Sequence, residues 1–499
     1  MHYLLGVDIG TYSSKGVLVR EDGQVAASHG VEHSLSLPKP GWAEHDPELV
    51  WWHDFLEIVH VLLETSRISP GLIAALGIST ISPAVVAVGK QGLALRPAIL
   101  YGIDTRAAQE VADLEQLTGA SLSSQSGAPK ILWLRRNEPE VWKQTRQIVN
   151  GSGYLNLKLT GQATIDIYDA CAFSPFFNPQ SLNWDASLAG QLAPLEWMPR
   201  PTWTSEVAGR VTEAAARQTG LRAGTPVITG TADAAAEAVS AGLSQVGDMM
   251  IMYGSSTFFI LKTDVFTKSA HFWTGPFLEP GTYSVAGGTA TAGSLTRWFR
   301  DQFGLAELEV QRGGGENAYA NLARLAASSP PGANGLVVLP YFYGERTPVD
   351  DPQARGMIFG LTLSHTRADL YRALLESVGY AIRHNLETMQ AEGMHPRRLL
   401  AVGGGTQNRP WMEMVCDIAG IAQVIPSQQM GACYGDAFLA GIGAGLFTST
   451  SDIAHWLTET RTFLPNAEHY ARYEPFYQLY RDLYTQNAGS MHRLSALFS

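Results

Sequence analysis

The N-terminal run YLLGVDIGTYSSKGVLV, residues 3–19, constrains this chain more than any other stretch. Tyr3 to Ile9 is an apolar run of strand length that carries one carboxylate, Asp8, near its end. A turn containing Gly10, Thr11, Ser13 and Ser14 follows, and then a second apolar run, Gly16-Val17-Leu18-Val19. Apolar runs separated by small and hydroxylated residues predict a β-hairpin. Successive backbone N–H groups in such a turn form an anion-binding nest, and a neighbouring carboxylate can hold hydrated Mg²⁺ beside a bound phosphate. The plainer alternative is a hairpin whose turn Asp8 merely caps. Neither GxxxxGK[ST] nor a GxGxxG after the first strand is present, so a Walker loop and a Rossmann dinucleotide site have no support.

The pattern continues as alternating strands and helices. A turn at Glu21-Asp22-Gly23 leads to a third strand. The segment GWAEHDPELVWWHDFLEIVHVLLE (41–64) predicts a helix with Asp46 as N-cap and Pro47 as its first residue. Leu49, Trp52, Leu56, Val59 and Leu63 recur along it at helical spacing. Trp51 and Trp52 read as core, and His45, His53 and His60 as solvent-facing, because their spacing is uneven for a metal. Residues 73–80 and 84–89 return to strand, which makes the region α/β. A helix and a strand over 141–161 run into a further helix that Gly161 ends. GTPVITGTADAAAEAVSAG (224–242) repeats the logic of the opening: apolar strand, Gly/Thr turn, Asp233, small-residue helix. That internal echo suggests two related domains. MMIMYGSSTFFIL (249–261) opens the second half as strand, Gly-Ser-Ser turn and strand, which puts the hinge near 242–250. RLLAVGGGTQNRPWMEMVCDIAG (398–420) reads as strand, triple-glycine turn and helix; GACYGDAFLAGIGAG (431–445) reads as a helix able to pack tightly under a ligand loop.

With 499 residues, two large domains are expected. The 45% apolar and 16% charged content suits a well-packed enzyme. A net charge of −11 without a Lys/Arg block argues against nucleic acid or an anionic membrane as the main partner. The start of the chain resembles no secretory leader, and no run of about 20 apolar residues is uninterrupted. Cys171, Cys416 and Cys433, widely spaced, read as buried thiols of a cytoplasmic protein. No Cys/His cluster supports zinc. Arg135 and Arg136 read as a solvated helix face, while Lys130 and Trp133 could lie near a cleft.

Asp233 can be read as an N-cap. It can also accept the proton of a substrate hydroxyl, since an ordinary carboxylate is ionised at pH 7. Gly403-Gly404-Gly405, between a strand and a helix, would let a nucleotide base lie against backbone.

Several motifs together carry a resemblance. GMIFGLTLSHTRADLYRALLE (356–376) fits the second signature of the FGGY carbohydrate kinase family at every specified position, from Gly356, Ile358, Gly360 and Leu361 to Asp369-Leu370 and Ala373 to Glu376. LPYFYGERTPVDDPQARG (339–356) is similar to the segment before it in xylulokinase-like members, and GAPKILWLRRNEPEVW (127–142) resembles the first signature, with Gly127 where Pro, Ser or Thr is usual. The resemblance runs from about residue 4 to about 450. It implies an α/β fold of two actin-like, ribonuclease-H-type domains, 1–244 binding sugar and phosphate and 245–499 binding ATP, with the active site in the interdomain cleft. It also implies ATP and Mg²⁺ as cofactors and a small-molecule sugar or polyol as acceptor; the oligomeric state is left open, a homodimer being one candidate. Carried over, Asp233 is the catalytic base and Asp8 the phosphate-loop carboxylate; both are candidates for holding Mg²⁺. Gly10, Thr11 and Ser13 line the phosphate turn. Ser255 and Gly293 line the ATP site, and Gly404, Gly405 and Asn408 contact adenosine.

The acceptor wall departs from the family pattern. Xylulokinases usually carry Gln-Met-His, and glycerol kinases Gln-Arg-Glu, where this chain has Ile81-Ser82-Pro83. Ser82 and Pro83 offer few polar atoms, so D-xylulose is expected to be a poor acceptor. In YGIDTRA, Asp104 and Arg106 keep the acid and base of the second substrate segment and are expected to touch the sugar; a surface ion pair is the alternative. A non-catalytic, regulatory ATP- and sugar-binding relative is the competing function. Retention of Asp8 and Asp233 speaks against it. An actin- or chaperone-type ATPase would leave the 356–376 signature unexplained.

Overall fold

The computed structural model describes residues 2–427, 430–457 and 460–497. The chain forms two compact α/β units. The first comprises Met1–Ser244, Gly275–Tyr283 and Gln429–Thr458, and the second Gln245–Thr274, Ser284–Gln428 and Glu459–Ser499. A single boundary after residue 244 therefore misses two later segments that return to the first unit.

In the first unit the predicted hairpin is β1 (Tyr3–Ile9) and β2 (Ser13–Arg20), followed by β3 (Val25–Glu32). Strand β4 (Ile73–Thr80) pairs with β1 in parallel, Asp8 lying opposite Ser79. Strands β5 (Val207–Arg210), β6 (Pro226–Ile228) and β7 (Thr231–Ala232) complete a seven-stranded sheet in which β5, β6, β4, β1, β2 and β3 are successive neighbours and β7 pairs with β4.

Asp46 accepts from the backbone N–H groups of Glu48 and Leu49, with Pro47 at the first helical position. The helix opens as a π-helical turn, Pro47–Trp52, before α1 (His53–Ser66) begins. The wider turn rotates the apolar stripe by about one position. Trp51, Trp52, Phe55, Ile58 and Leu62 are buried, and Leu49, the first residue of the predicted apolar spacing, is 75% exposed. His45 is also corrected: it is buried, with Trp51 Nε1 donating to its Nδ1 at 3.1 Å. His53 and His60 are exposed.

Helix α2 (Asp233–Ser240) starts directly after β7. The 224–242 segment thus adds strands to the sheet that already holds Asp8 and does not open a second copy of the domain. The repeat lies elsewhere. In the second unit β8 (Asp248–Tyr253) and β9 (Thr257–Thr263) form an antiparallel hairpin around Gly254-Ser255-Ser256. With β10 (Tyr283–Gly287), β11 (Arg398–Val402), β12 (Gln423–Pro426) and β13 (Thr460–Phe463), the order runs β10, β9, β8, β11, β12, β13. Strand β8 pairs with β11 in parallel, as β1 does with β4. The Asp8 turn therefore corresponds to the Gly254 turn.

Helices α3 (Gly293–Phe303), α4 (Arg367–Ala391) and α5 (Arg409–Ala419) belong to the second unit. Helix α4, whose N-terminal part ends the 356–376 motif, is capped by Thr366 and Asp369 in a reciprocal capping box. The small-residue run becomes α6 (Ala432–Gly443), which returns to the first unit and lies against β1, β4 and α2.

Candidate active site

In the first unit, β1, β4, α2 and α6 bring four carboxylates into one neighbourhood. Oδ1 of Asp8 accepts from Ser79 Oγ at 3.1 Å, and the same hydroxyl lies 2.6 Å from Oδ2 of Asp436 on α6. Asp436 is fully buried and its Oδ1 has no hydrogen-bond partner among the described residues. Asp233 begins α2 and accepts from the N–H of Ala234 at 2.7 Å; Glu237 lies one turn further on. Burial raises every member of this group. Asp8 is pushed up to about 7, chiefly by loss of water and then by Glu237, against the Ser79 hydrogen bond and Lys15. Asp436 is raised well above the carboxylate range by burial and by Asp8.

Asp233 is pushed up to about 8, first by burial, then by the charges of Asp8 and Asp169, with the Ala234 N–H opposing. Asp8 and Asp233 both keep some solvent contact, so a ligand can reach them. A raised carboxylate is protonated below its pKa, so the form that can accept a proton is depleted as pH falls. If Asp233 is the base, kcat/KM should climb with pH, pass half its maximum near about 8 and level off only above that, whereas an ordinary carboxylate would level off by about pH 5–6. A pH profile of kcat/KM measures this, and a flat profile across that range excludes it.

Behind Asp233 sits a second carboxylate pair. Asp166 accepts from Thr231 Oγ1 at 2.7 Å and Thr204 Oγ1 at 3.0 Å, while Asp169 accepts from Ser82 Oγ and Asn150 Nδ2. Both carboxyls are raised by burial, and Asp166 is raised further by Asp169. The Ser82 hydroxyl expected at the acceptor wall is thus turned onto Asp169, and Pro83 beside it is buried.

Asp104 and Arg106 correct the expectation of sugar contact. The Arg106 side chain is 0% exposed and its guanidinium donates to both oxygens of Asp104, to Glu44 Oε1 at 2.8 Å, and stacks 3.9 Å over Trp42. Asp104 Oδ2 also takes the N–H of Ala43 at 2.7 Å. A buried pair that uses its hydrogen bonds internally supports the wall; it does not touch what lies beyond. Lys130 is likewise buried, donating to the carbonyls of Ser124 and Ser126, and burial pushes it down to about 8.

In the turn predicted to bind phosphate, the N–H of Gly10 donates to Ser13 O at 3.0 Å and Thr11 Oγ1 lies 2.9 Å from the Tyr101 hydroxyl, while Thr11, Tyr12 and Ser13 keep access to solvent.

The second unit holds the other predicted residues. The carbonyl of Ser255 accepts from Ala292 and Ser294 at 2.8 and 2.9 Å, and Gly293 N–H donates to Gly254 O at 2.9 Å. A Cβ at Gly293 would fall 2.5 Å from that carbonyl, so only glycine allows the approach. Gly404 has open space around it, Gly405 packs on Tyr253 and Trp411, and Asn408 caps α5 by accepting from Trp411 N–H at 3.1 Å. Arg346 ties the same region together, donating to the carbonyls of Thr257 and Thr289 at 3.0 and 2.8 Å.

Sequence reading missed Ser79, Glu237, Asp436, Asp166 and Asp169. The signal for Asp436 was visible as a lone charge in the small-residue helix GACYGDAFLAG. Ser79 gave none, being one small residue in a buried strand.

No group of His, Cys, Asp and Glu among the described residues forms a preassembled metal site. Among them, too, no helix is long and apolar enough to cross a membrane.

Comparison with known proteins places these features in context. The model of the FGGY family of carbohydrate kinases, N-terminal domain, matches residues 3–240, and that of the C-terminal domain matches 249–444. The xylulose kinase of Escherichia coli (strain K12) is 31% identical over 493 residues, covering 97% of this chain and 98% of that protein. The gluconokinase of Bacillus subtilis (strain 168) is 26% identical over 510 residues, with 97% and 98% covered. The crystal structure of xylulose kinase from Rhodospirillum rubrum superposes with a TM-score of 0.90 at 32% identity, covering 98% of this chain and 100% of that one.

Proposed function

We propose, from the premise that this chain belongs to the FGGY family of carbohydrate kinases, a division of labour among its residues and a class of acceptor. The chain is an ATP-dependent sugar kinase, a phosphotransferase with an alcohol group as acceptor. In the proposed division, the first unit carries the sugar and phosphate contacts and the second carries the nucleotide. Asp233 is the base: it takes the proton from the acceptor hydroxyl as that oxygen attacks the γ-phosphorus, while the bond to the departing ADP oxygen breaks. The observation that carries this assignment is the carboxylate at the first turn of α2, partly accessible to solvent and, among the described residues, hydrogen-bonded only by its neighbour's N–H. Thr11, Ser13 and the turn backbone hold phosphate, and Ser255, Gly293, Gly404 and Gly405 approach the nucleotide. Asn408 shapes the base site as the cap of α5. A cytoplasmic location is supported by the ATP requirement and three free cysteines.

Mg²⁺ belongs to the same reading. Asp8 and Asp233 supply hard oxygen donors and no protein cage, the donor set that suits a hydrated Mg²⁺ completed by phosphate oxygens. Bound there, Mg²⁺ would neutralise charge on the transferred phosphoryl group.

The acceptor is a neutral ketose or polyol. Asp233 is surrounded by Asp8 and Asp169, and the two cations near the wall, Arg106 and Lys130, are engaged by Asp104, Glu44 and backbone carbonyls. A carboxylate on the substrate would meet like charge wherever one of these carboxyls is ionised, at a cost of about 2–3 kcal/mol for ~6–8 Å separations in a partly buried site. Because Ser82 gives its proton to Asp169 and Pro83 has no polar side-chain atom, D-xylulose is expected to find no side-chain donor there for at least one hydroxyl, a loss of about tenfold to a hundredfold. ATP consumption across ketopentoses, ketohexoses, polyols and aldonates tests both points. The expected ranking is a neutral acceptor other than D-xylulose first, D-xylulose below it, and aldonates about a hundredfold below the best. An aldonate at the top refutes the charge argument; D-xylulose at the top refutes the Ser82 argument.

A further inference from the structure

A buried histidine outside the proposed chemistry is built against the phosphate turn. His33 directly follows β3, and its side chain is 6% exposed. Its Nδ1 lies 2.8 Å from Oδ2 of Asp54, and its Nε2 lies 3.1 Å from the carbonyl oxygen of Gly10. The backbone N–H of His33 donates to the carbonyl of Tyr12 at 3.0 Å. Asp54, in the first turn of α1, also accepts from Ser14 Oγ at 2.7 Å. Gly10 enters the turn and Ser14 leaves it. Both ends are therefore fastened to α1 through one carboxylate and one imidazole.

The atoms facing the two ring nitrogens are both acceptors. A carboxylate has no proton to give when ionised, and a backbone carbonyl never has one. A neutral imidazole carries one N–H, so one of the two contacts would set lone pair against lone pair in a buried site. Only the doubly protonated ring donates to both. We propose that His33 is a positioning residue held as the imidazolium between Asp54 and Gly10, and that this cation fixes the geometry of the turn that receives phosphate. The part of the proposal that concerns phosphate rests on the kinase reading above; the charge state does not.

The other ionisable groups that face this ring are compatible with the charge. From the short strand at Glu44–His45, the His45 ring meets His33 edge-on with centroids 4.9 Å apart. Burial, and then the charge of His33, pushes His45 down to about 4, so the two rings do not both ionise at neutral pH. From α1, exposed His53 lies 3.6 Å from the other oxygen of Asp54. The hairpin itself presents Gly10, Tyr12 and Ser14 to the His33–Asp54 pair.

The charge is read directly on the intact protein by ¹⁵N NMR with labelled histidine at pH 7, His33 being assigned by the signal lost in His33→Gln. Two protonated ring nitrogens are expected in the wild type, and a neutral tautomer would overturn the proposal. Asp54→Asn keeps the shape and removes the counter-charge, so its His33 ring should become neutral at the same pH; a ring still doubly protonated would show that Asp54 is not what holds it.

Positioning is read separately, by titrating ATP into wild type and His33→Phe. Loss of a charge-assisted contact to Gly10 is expected to weaken ATP binding about tenfold. Unchanged affinity in a folded His33→Phe would overturn the clamp. ATP failing to bind even the wild type would refute the kinase reading while leaving the NMR result standing.

Discussion

Asp233→Asn is expected to slow phosphoryl transfer by about 10²–10⁴-fold, with melting temperature and nucleotide affinity close to wild type. Asn has the same shape, and its amide oxygen still accepts from Ala234 N–H, so the start of α2 survives the change. What is lost is the lone pair that takes the acceptor's proton. Burial and the charge of Asp8 both disfavour ionised Asp233, so replacing it with a neutral side chain should leave stability unchanged or raise it slightly. Steady-state rates on the best acceptor, ATP titration and a thermal melt separate these effects. A rate loss below about tenfold would show that Asp233 is an N-terminal helix residue and not the base.

Gly6→Ala is expected to be the most damaging single methyl group in the first unit. A Cβ at Gly6 would stand 1.9 Å from the carbonyl oxygen of Cys433 and 2.5 Å from the N of Ala437. Both are backbone atoms of α6, so no side chain can swing aside. The helix has little freedom to retreat, because Gly435 on it lies where a Cβ would be 2.0 Å from Ala236 O on α2. Overpacking typically costs about 1–3 kcal/mol, and a clash with two backbone atoms belongs at or above the upper end. For a unit of this size that is a fall in melting temperature of roughly 6–12 °C. The same displacement moves Asp436 and Ser79 relative to Asp8, so the rate should fall as well. Gly190→Ala is the control, since a Cβ there meets nothing within 4 Å and its φ is −62°. If Gly6→Ala melts with Gly190→Ala and the wild type, the close packing of α6 on β1 is wrong.

The glycine case illustrates why α6 was legible as a helix and illegible as a neighbour. Small residues at Gly431, Ala432, Gly435, Ala437 and Gly441 announce close packing, yet nothing local to them names the strand they pack on. The contact joins residues more than 400 positions apart, and many other apolar strands in the chain offer the same chemistry. For the same reason local sequence draws the domain boundary as a single cut and points to the segment around Asp233 as the internal repeat. Sequence echo follows local turn chemistry, whereas the repeat in the fold is a strand order, visible only once β8 pairs with β9 and β11.

The chain by itself determined the α/β alternation, the Asp8 hairpin, the Asp46 cap and the family signature at 356–376, because each depends on backbone preferences and spacings within about twenty residues. Tertiary structure alone decided which polar groups are free. Asp104 and Arg106 carry the right chemistry for a sugar, but folding places them against each other and Glu44, where desolvation obliges them to satisfy one another. Ser82 keeps its hydroxyl and turns it to Asp169. His33 carries no motif, and it acquires its place beside Gly10 only because β3 and α1 bring it between a carboxylate and a carbonyl. A side chain's identity sets what it can donate or accept; burial and the partners folded around it set whether any of that remains for a substrate.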